Sequence, residues 1–332
     1  MATNATNIAD VDLIASLLRR YGRSTLETLL VDRTTKKNII WADREYEQLG
    51  TGYGPYDEVT LERICGKRVI EPRVVKSIDQ QAWRTKEKAE VFTPSWLCKQ
   101  MVDCIDDAFF GGEPSGFVEG TQRGLTEERI ALLAEKKRWQ KYVDNRLLEI
   151  TCGEAPFICS PYDATTGDFV TVEERIGFLD RKLRIVGKYA DSYEEWSKWA
   201  RRAVESSYGY EFQGDNLLIA RINVFNTYAD YMQDVWGKIP DEKEAHDIAY
   251  VISWNLWQMD GLYGCVPSEW DVPELIEPEM MQMSLFDLDG FLDDDEEVSE
   301  EEAEPVELLF AEKCLIFDWR ARASQTYESL KG

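Results

Sequence analysis

Apolar side chains recur at helical spacing through much of the chain. Residues 8–32 predict two short helices with a break near Tyr21-Gly22, because glycine interrupts the pattern there. A further helix is expected to begin at Pro94 or Ser95, since proline is favoured in the first turn. The same spacing predicts helices over 127–143, 175–186, 193–204 and 216–231.

Short apolar runs predict three strands between these helices. They cover Arg146–Ile150, Tyr208–Phe212 and Cys314–Asp318, whereas Ile248–Trp257 fits either a helix or a strand. The first run leads into a turn containing Gly153, and the second leads into the helix over 216–231. The order strand, glycine turn, helix, strand, helix is typical of a doubly wound α/β sheet, in which ligands bind at the carboxyl ends of the strands.

Composition narrows the class of protein. The chain has 332 residues and no apolar run near the roughly 18 residues of a membrane span, and its first twelve residues do not read as a secretory signal. We therefore expect a globular cytoplasmic protein. Seven irregularly spaced cysteines and the single His246 predict neither disulfides nor a metal site, and they disfavour a serine hydrolase.

Charge is unevenly distributed. The net charge is −25, and residues 286–307 hold twelve acids and no lysine or arginine, which is typical of a flexible linker. Residues 63–88 instead hold eight basic residues against three acids. This stretch is either a solvated surface or a contact for nucleic-acid phosphates. The candidate phosphate contacts are Arg68, Arg73, Lys76 and Arg84.

Four motifs in a fixed order give the chain a resemblance to a known family. They are Phe92-Thr93-Pro94, the turn over Glu149–Phe157 that includes Cys152-Gly153, the acid Glu211 after the second strand, and Asp260-Gly261-Leu262. The chain resembles the adenine-N6 DNA methyltransferases of restriction–modification systems, and in particular proteins described as restriction-endonuclease M subunits. The resemblance covers residues 90–320.

The resemblance implies a class I, Rossmann-like fold that binds S-adenosylmethionine. Phe92, Thr93 and Pro94 would lie at the methionine end of the cofactor, together with Cys152 and Gly153. Glu211 would accept the ribose hydroxyls, a task that suits a carboxylate because it accepts two hydrogen bonds at once. Asp260 would bind the adenine amino group. The remaining implied cofactor contacts are Glu149, Phe157 and Leu262.

The catalytic motif departs from the family. These enzymes carry Asn/Asp-Pro-Pro-Tyr/Phe after the fourth strand. The polar groups of this motif accept hydrogen bonds from the target amino group, and its aromatic ring stacks on the flipped base. Here the candidate fourth strand is followed by Asp318-Trp319-Arg320, without the two prolines. Asp318 and Trp319 are the candidate acceptor and stacking platform.

The expected organisation is a helical N-terminal region over 1–90 and a methyltransferase-like domain over 91–270 and 308–332. Residues 160–205 form a helical insertion and 271–307 an acidic linker. The leading hypothesis is methyl transfer to DNA adenine, with a specificity or restriction subunit as a further partner and no contact with a membrane. The alternative is a catalytically silent cofactor-binding subunit that needs a partner chain. A third hypothesis, a DNA-mimicking acidic protein, rests on 286–307 alone.

Overall fold

The computed structural model describes residues 6–88, 93–111, 124–268 and 312–330. Phe92 and the predicted acidic linker lie outside the described residues. Ten α-helices are described: α1 (Leu13–Leu30), α2 (Leu61–Ile64), α3 (Ile78–Lys88), α4 (Ser95–Phe109), α5 (Glu127–Leu133), α6 (Arg138–Val143), α7 (Phe178–Tyr189), α8 (Tyr193–Glu205), α9 (Gly214–Trp236) and α10 (Glu242–Asn255). Five strands accompany them: β1 (Leu147–Glu149), β2 (Ser207–Glu211), β3 (Leu256–Gln258), β4 (Leu315–Asp318) and β5 (Ala323–Thr326).

The sheet is parallel and places three strands side by side in the order β1-β2-β3. Leu148 lies opposite Tyr208, and Tyr210 lies opposite Trp257. All five residues of β2 are buried, as expected for a central strand with both faces covered. The prediction of a mixed α/β fold with a parallel sheet is therefore confirmed.

Helices cover one face of this sheet. The crossover from β1 to β2 contains α7 and α8, and the crossover from β2 to β3 contains α9 and α10. Leu183 of α7, Trp196 of α8 and Phe225 of α9 are all buried in one main core. The predicted helical insertion is thus the connection between β1 and β2, and its helices pack into that core. In the N-terminal region, α1 packs on α9 and α10 and bends at Gly22, whose φ is 81°.

The strand predicted as the fourth of the main sheet lies elsewhere. β4 pairs antiparallel with β5 in a separate two-stranded sheet, with Leu315 opposite Thr326. This hairpin covers the other face of the parallel sheet, where Ile316 packs in a small cluster with Tyr208 and Trp257. Only one of the four residues of β4 is buried, which suits a strand with one covered face and not an inner parallel strand. The prediction of a fourth strand in the main sheet is therefore wrong.

A bilayer-spanning helix is not found in the described part of the chain.

Candidate functional site

A cavity of about 570 Å³ lies at the carboxyl ends of β1 and β2. Ligands of open α/β sheets bind at these carboxyl ends, and the cavity volume is in the range of small-molecule sites. Its wall is formed by the turn after β1, the residues that follow β2, the residues before α4 and one side of α9. Residues of the wall include Arg73, Thr93, Ser95, Cys98, Glu149, Cys152, Gly153, Glu154, Phe157, Tyr162, Glu211, Phe212, Gln213 and Asn223.

The turn after β1 is held in a tight conformation. Thr151, Gly153 and Ala155 have φ values of 44°, 52° and 67°, a region that disfavours residues with a Cβ. The Cys152 N–H donates to the Tyr210 carbonyl of β2, and the Ala155 N–H donates to the Cys152 carbonyl. The turn therefore folds back toward β2 and forms part of the cavity wall.

Glu211 ties this turn to the end of β2. Its carboxylate accepts the Gly153 N–H at 2.7 Å and the Gln213 N–H at 3.1 Å. A carboxylate has about four acceptor positions, so holding two N–H groups is compatible with accepting ligand hydroxyls as well. Glu211 thus holds the turn in place and contributes a carboxylate to the cavity wall.

Glu149 ends β1 and is buried behind the same wall. Its two oxygens accept the N–H groups of Phe157 and Ile158 at 3.3 and 3.0 Å. Burial raises the pKa of Glu149 to about 8, and the neighbouring charge of Glu211 adds to the rise, whereas the two N–H groups oppose it. At neutral pH this side chain is therefore close to its titration point.

The raised pKa of Glu149 predicts a defined pH dependence of stability. The pKa of Glu149 in the folded state is above its unfolded value. The contribution of Glu149 to stability is therefore complete below pH 4.5 and is lost as pH rises through about 8. We expect Glu149→Gln to lack this loss, so its melting temperature relative to the wild type should rise between pH 5 and 8 and level off above. Thermal unfolding across that range measures the difference. A melting-temperature difference that stays constant with pH would contradict the assignment.

Burial disfavours the reactive thiolate form of the cysteines near the cavity. Burial raises the pKa of Cys98 to about 12, with Glu149 adding to the effect. Burial likewise holds the pKa values of Cys152 and Cys159 well above the usual range. Because the thiolate is the reactive form, covalent catalysis at these positions is disfavoured. The described residues also contain no group of three or more metal-ligating side chains.

Six of the ten predicted cofactor contacts line the cavity: Thr93, Glu149, Cys152, Gly153, Phe157 and Glu211. Pro94 precedes α4 and accepts the N–H groups of Leu97 and Cys98, which places it between two wall residues, Thr93 and Ser95.

Asp260 and Leu262 do not line the cavity. The Asp260 carboxylate instead accepts the N–H groups of Leu262 and Tyr263 in a local turn, and Leu262 is 83% exposed. The prediction that these two residues contact the ligand therefore does not hold for this arrangement.

Asp318 and Trp319 lie at the opposite end of the sheet from the cavity. Asp318 forms an ion pair with Arg146, the residue before β1, at 3.2 Å. The Trp319 indole N–H donates to Asn255, the residue before β3, at 2.6 Å. Both partners precede their strands, whereas the cavity follows β1 and β2. The predicted catalytic role of Asp318 and Trp319 is thus not supported at this cavity, because β4 runs back along the sheet toward its amino ends.

Three of the four predicted phosphate contacts are buried in internal interactions. Lys76 pairs with Asp215 at 2.9 Å, and Arg84, which is 0% exposed, pairs with Glu45 and Asp215 at 2.8 and 3.1 Å. The buried Arg73 donates to Thr85 at 2.7 Å. Arg68 pairs with Glu71 at 3.1 Å and stays partly exposed. The charges of Lys76 and Arg84 are paired with Asp215 in the first turn of α9, and the guanidinium of Arg73 contacts α3. Burial of these three side chains does not support a phosphate-binding face that includes them.

Sequence reasoning missed a polar cluster on the wall. The Tyr162 hydroxyl donates to Glu154 at 2.6 Å and accepts from the Asn223 amide at 3.1 Å. The backbone N–H of Arg73 also donates to Glu154, at 2.5 Å. Glu154 directly follows the Cys152-Gly153 turn, and an acid at that place was the one available signal. Asn223 lies on the buried face of α9 and gives no sign in the sequence.

The wall is acidic. Glu154 and Glu211 line it as carboxylates, and the pKa of Glu149 is raised to about 8, so its side chain becomes charged only as pH rises through that value. Arg73 is the one basic residue among the described residues of the wall. Such a wall suits a ligand with positive charge and disfavours one with several phosphates.

No family model matches the chain, and no curated protein or solved structure matches it either.

Proposed function

We propose that this cavity binds S-adenosylmethionine and that the chain serves methyl transfer to DNA, with an adenine amino group as the acceptor. The observation that carries the proposal is the convergence of two neighbouring parallel strands on one cavity. The tight Cys152-Gly153 turn after β1 is hydrogen-bonded directly to Glu211 at the end of β2. Both features belong to the resemblance described above.

The charge of the wall supports the choice of ligand. S-adenosylmethionine carries a sulfonium and an ammonium, so the carboxylates of Glu154 and Glu211 favour it over a nucleotide with a phosphate chain. The aromatic rings of Phe157 and Phe212 add apolar surface. A purine packs well against such rings, as is common in small-molecule sites.

The residues present fit the parts of the cofactor. Glu211 would accept the ribose hydroxyls, and Thr93, Cys152 and Gly153 would lie along the methionine end. When bound, the cofactor supplies an electrophilic methyl group. The chain's own contribution is to position it and to exclude water from the buried side of the cavity.

A second candidate function is a cofactor-binding subunit that depends on a partner chain for catalysis. Among the described residues, β1 pairs with β2 alone and is the edge of the parallel sheet. Ligands of open α/β sheets lie where strand order reverses, between two halves of a sheet. Here the cavity lies at the carboxyl ends of β1 and β2, next to the edge strand β1. Asp318 and Trp319, the predicted acid–aromatic pair, lie at the amino ends of the strands. This arrangement favours a partner that supplies the acceptor-binding half.

Binding and transfer of labelled cofactor test the two candidates together. We expect one equivalent of tritiated S-adenosylmethionine to bind, with S-adenosylhomocysteine competing and ATP failing to compete because its phosphates face an acidic wall. Label in unmethylated DNA would identify a methyltransferase. Bound label that no DNA accepts would favour the second candidate. Absence of any bound label would refute both.

A further inference from the structure

We propose that the basic residues just before β1 bind the phosphate backbone of the acceptor DNA. They form one surface, the basic ridge, which consists of Lys136, Lys137, Arg138, Lys141 and Arg146. This inference rests on the proposed function, because it takes DNA as the acceptor. It names the surface that would hold the DNA, a role that the buried basic residues of the stretch over 63–88 do not fill.

The ridge is a local excess of positive charge on a strongly acidic chain. Residues 135–146 hold five basic residues against two acids, whereas the whole chain carries a net charge of −25. One of the two acids, Asp144, pairs with Arg202 and also with Arg320, the latter at 2.8 Å. Its charge is therefore offset by arginines from other elements and subtracts little from the ridge.

Packing of α6 directs the ridge away from the core. Trp139, Tyr142 and Val143 are buried in the main core, so they fix one side of the helix. Arg138 and Lys141 lie three positions apart and therefore share another side. Lys141 is exposed, and Arg138 is partly exposed with its guanidinium 5.4 Å from the Phe110 ring. The core thus holds the ridge in a fixed orientation.

The two lysines before α6 lie in a turn whose backbone favours glycine. Lys136 and Lys137 have φ values of 48° and 56°, and both residues are exposed. Neither of them, nor Lys141, forms an ion pair with any residue that the structure describes. Three ammonium groups within six positions are therefore available to an outside anion, and lysine binds phosphate well as a point charge.

The ridge lies at one end of the strand whose other end borders the cavity. Arg146 immediately precedes β1, and Glu149 at the end of β1 lines the cavity. A strand of three residues spans about 10 Å, which is less than the width of the major groove of DNA, about 12 Å. Phosphate contacts at the ridge are therefore compatible with delivery of a flipped-out base to the cavity.

Removal of charge at the ridge is compared with a matched removal elsewhere. The ridge variant combines three changes: Lys136→Gln, Lys137→Gln and Lys141→Gln. The control combines three others: Lys36→Gln, Lys37→Gln and Lys243→Gln. The control positions are also exposed lysines, and Lys36 has a φ of 63°, so the two variants are alike in charge and in backbone strain. Fluorescence anisotropy with a short unmethylated duplex gives the dissociation constant at several salt concentrations, because phosphate contacts weaken as salt rises.

We expect the ridge variant to bind the duplex about tenfold more weakly than the wild type at about 0.1 M salt. The slope of log affinity against log salt should become shallower by about 2 to 3, since each phosphate contact contributes about 0.9. The control should stay within about twofold of the wild type, because salt screens charges that are distant from the DNA. Both variants should bind S-adenosylhomocysteine as the wild type does, which shows that the cavity is intact.

A second variant guards against a folding defect. Lys136→Gly combined with Lys137→Gly removes two of the charges and also relieves the strain of two positive φ values. We expect it to weaken the duplex as well, and to melt at or above the temperature of the wild type.

The outcomes separate this inference from the proposed function. Equal weakening by the ridge variant and the control, or no weakening by the ridge variant, overturns the ridge, as does a wild type that binds no duplex at low salt. A ridge-dependent loss that is seen with phosphatidylserine vesicles and not with DNA also overturns it, since the surface would then face a membrane. A wild type that binds DNA through the ridge but binds no S-adenosylmethionine refutes the proposed function and leaves the DNA-binding surface in place.

Discussion

Replacing Glu211 by alanine is expected to weaken S-adenosylmethionine binding by about a hundredfold or more, because two kinds of charge-assisted hydrogen bond are lost together. The carboxylate that would accept the ribose hydroxyls disappears. The Gly153 N–H and the Gln213 N–H also lose their acceptor, so the turn after β1 is released from β2. Calorimetric titration of the two proteins measures the ratio of their dissociation constants.

Two controls make the Glu211 result interpretable. Glu211→Gln keeps an acceptor oxygen but removes the charge, so we expect an intermediate loss of affinity. Asp318→Ala removes a carboxylate at the amino end of the sheet and should leave binding unchanged, because that residue pairs with Arg146 away from the cavity. Unchanged binding by Glu211→Ala, or a loss with Asp318→Ala, would contradict the placement of the site.

Replacing Asp215 by alanine is expected to lower the free energy of unfolding by about 3–5 kcal/mol, the cost of breaking a buried ion pair, because Lys76 loses its counter-ion while Arg84 keeps its pair with Glu45. Asp215 lies in the first turn of α9 and is fully buried. It pairs with Lys76 at 2.9 Å and Arg84 at 3.1 Å, and it accepts the Tyr46 hydroxyl at 2.7 Å. Without it, two buried cations lose their shared counter-ion. Chemical denaturation of the variant and the wild type gives the difference.

The same residue sets an acid sensitivity. Burial alone would raise the pKa of Asp215, but Lys76, Arg84 and the Tyr46 hydroxyl outweigh it and hold the pKa far below its usual range. The stabilisation is therefore present above about pH 4 and is lost as pH falls further. Asp234→Ala, on the exposed side of the same helix, should change stability by less than about 0.5 kcal/mol. Equal effects of the two substitutions would show that the buried network does not stabilise the fold.

The parallel sheet and its helices were predictable because their pattern is local. The run over 146–150 became β1, the run over 208–212 became β2, and the stretch over 216–231 became the interior of α9. The ambiguous run over 248–257 is helix as far as Asn255 and strand from Leu256. Apolar residues alone do not separate these two states, since both are buried.

The errors concern partners that are distant in sequence. The strand at 315–318 looks like an inner strand, but its pairing with β5 and its contact with Tyr208 depend on three-dimensional placement. Positive charge over 63–88 looks like a surface for phosphates, but Asp215, more than a hundred residues later, neutralises part of it. Charge counts ignore such pairing.

Only part of the candidate site was predictable, because some of its residues belong to sequence motifs and others do not. Thr93, Gly153 and Glu211 belong to motifs that occur in the expected order along the chain, and all three line the cavity. Asn223 was missed because a buried polar residue inside a helix reads as packing until its unpaired oxygen is seen.

The most direct test is a crystal structure of the full chain grown with sinefungin, a stable analogue of S-adenosylmethionine. We predict the analogue in the cavity after β1 and β2, with its ribose hydroxyls at Glu211 and its amino-acid end beside Thr93 and Gly153. A structure with the analogue bound anywhere else, or with this cavity empty at saturating analogue, would contradict the account.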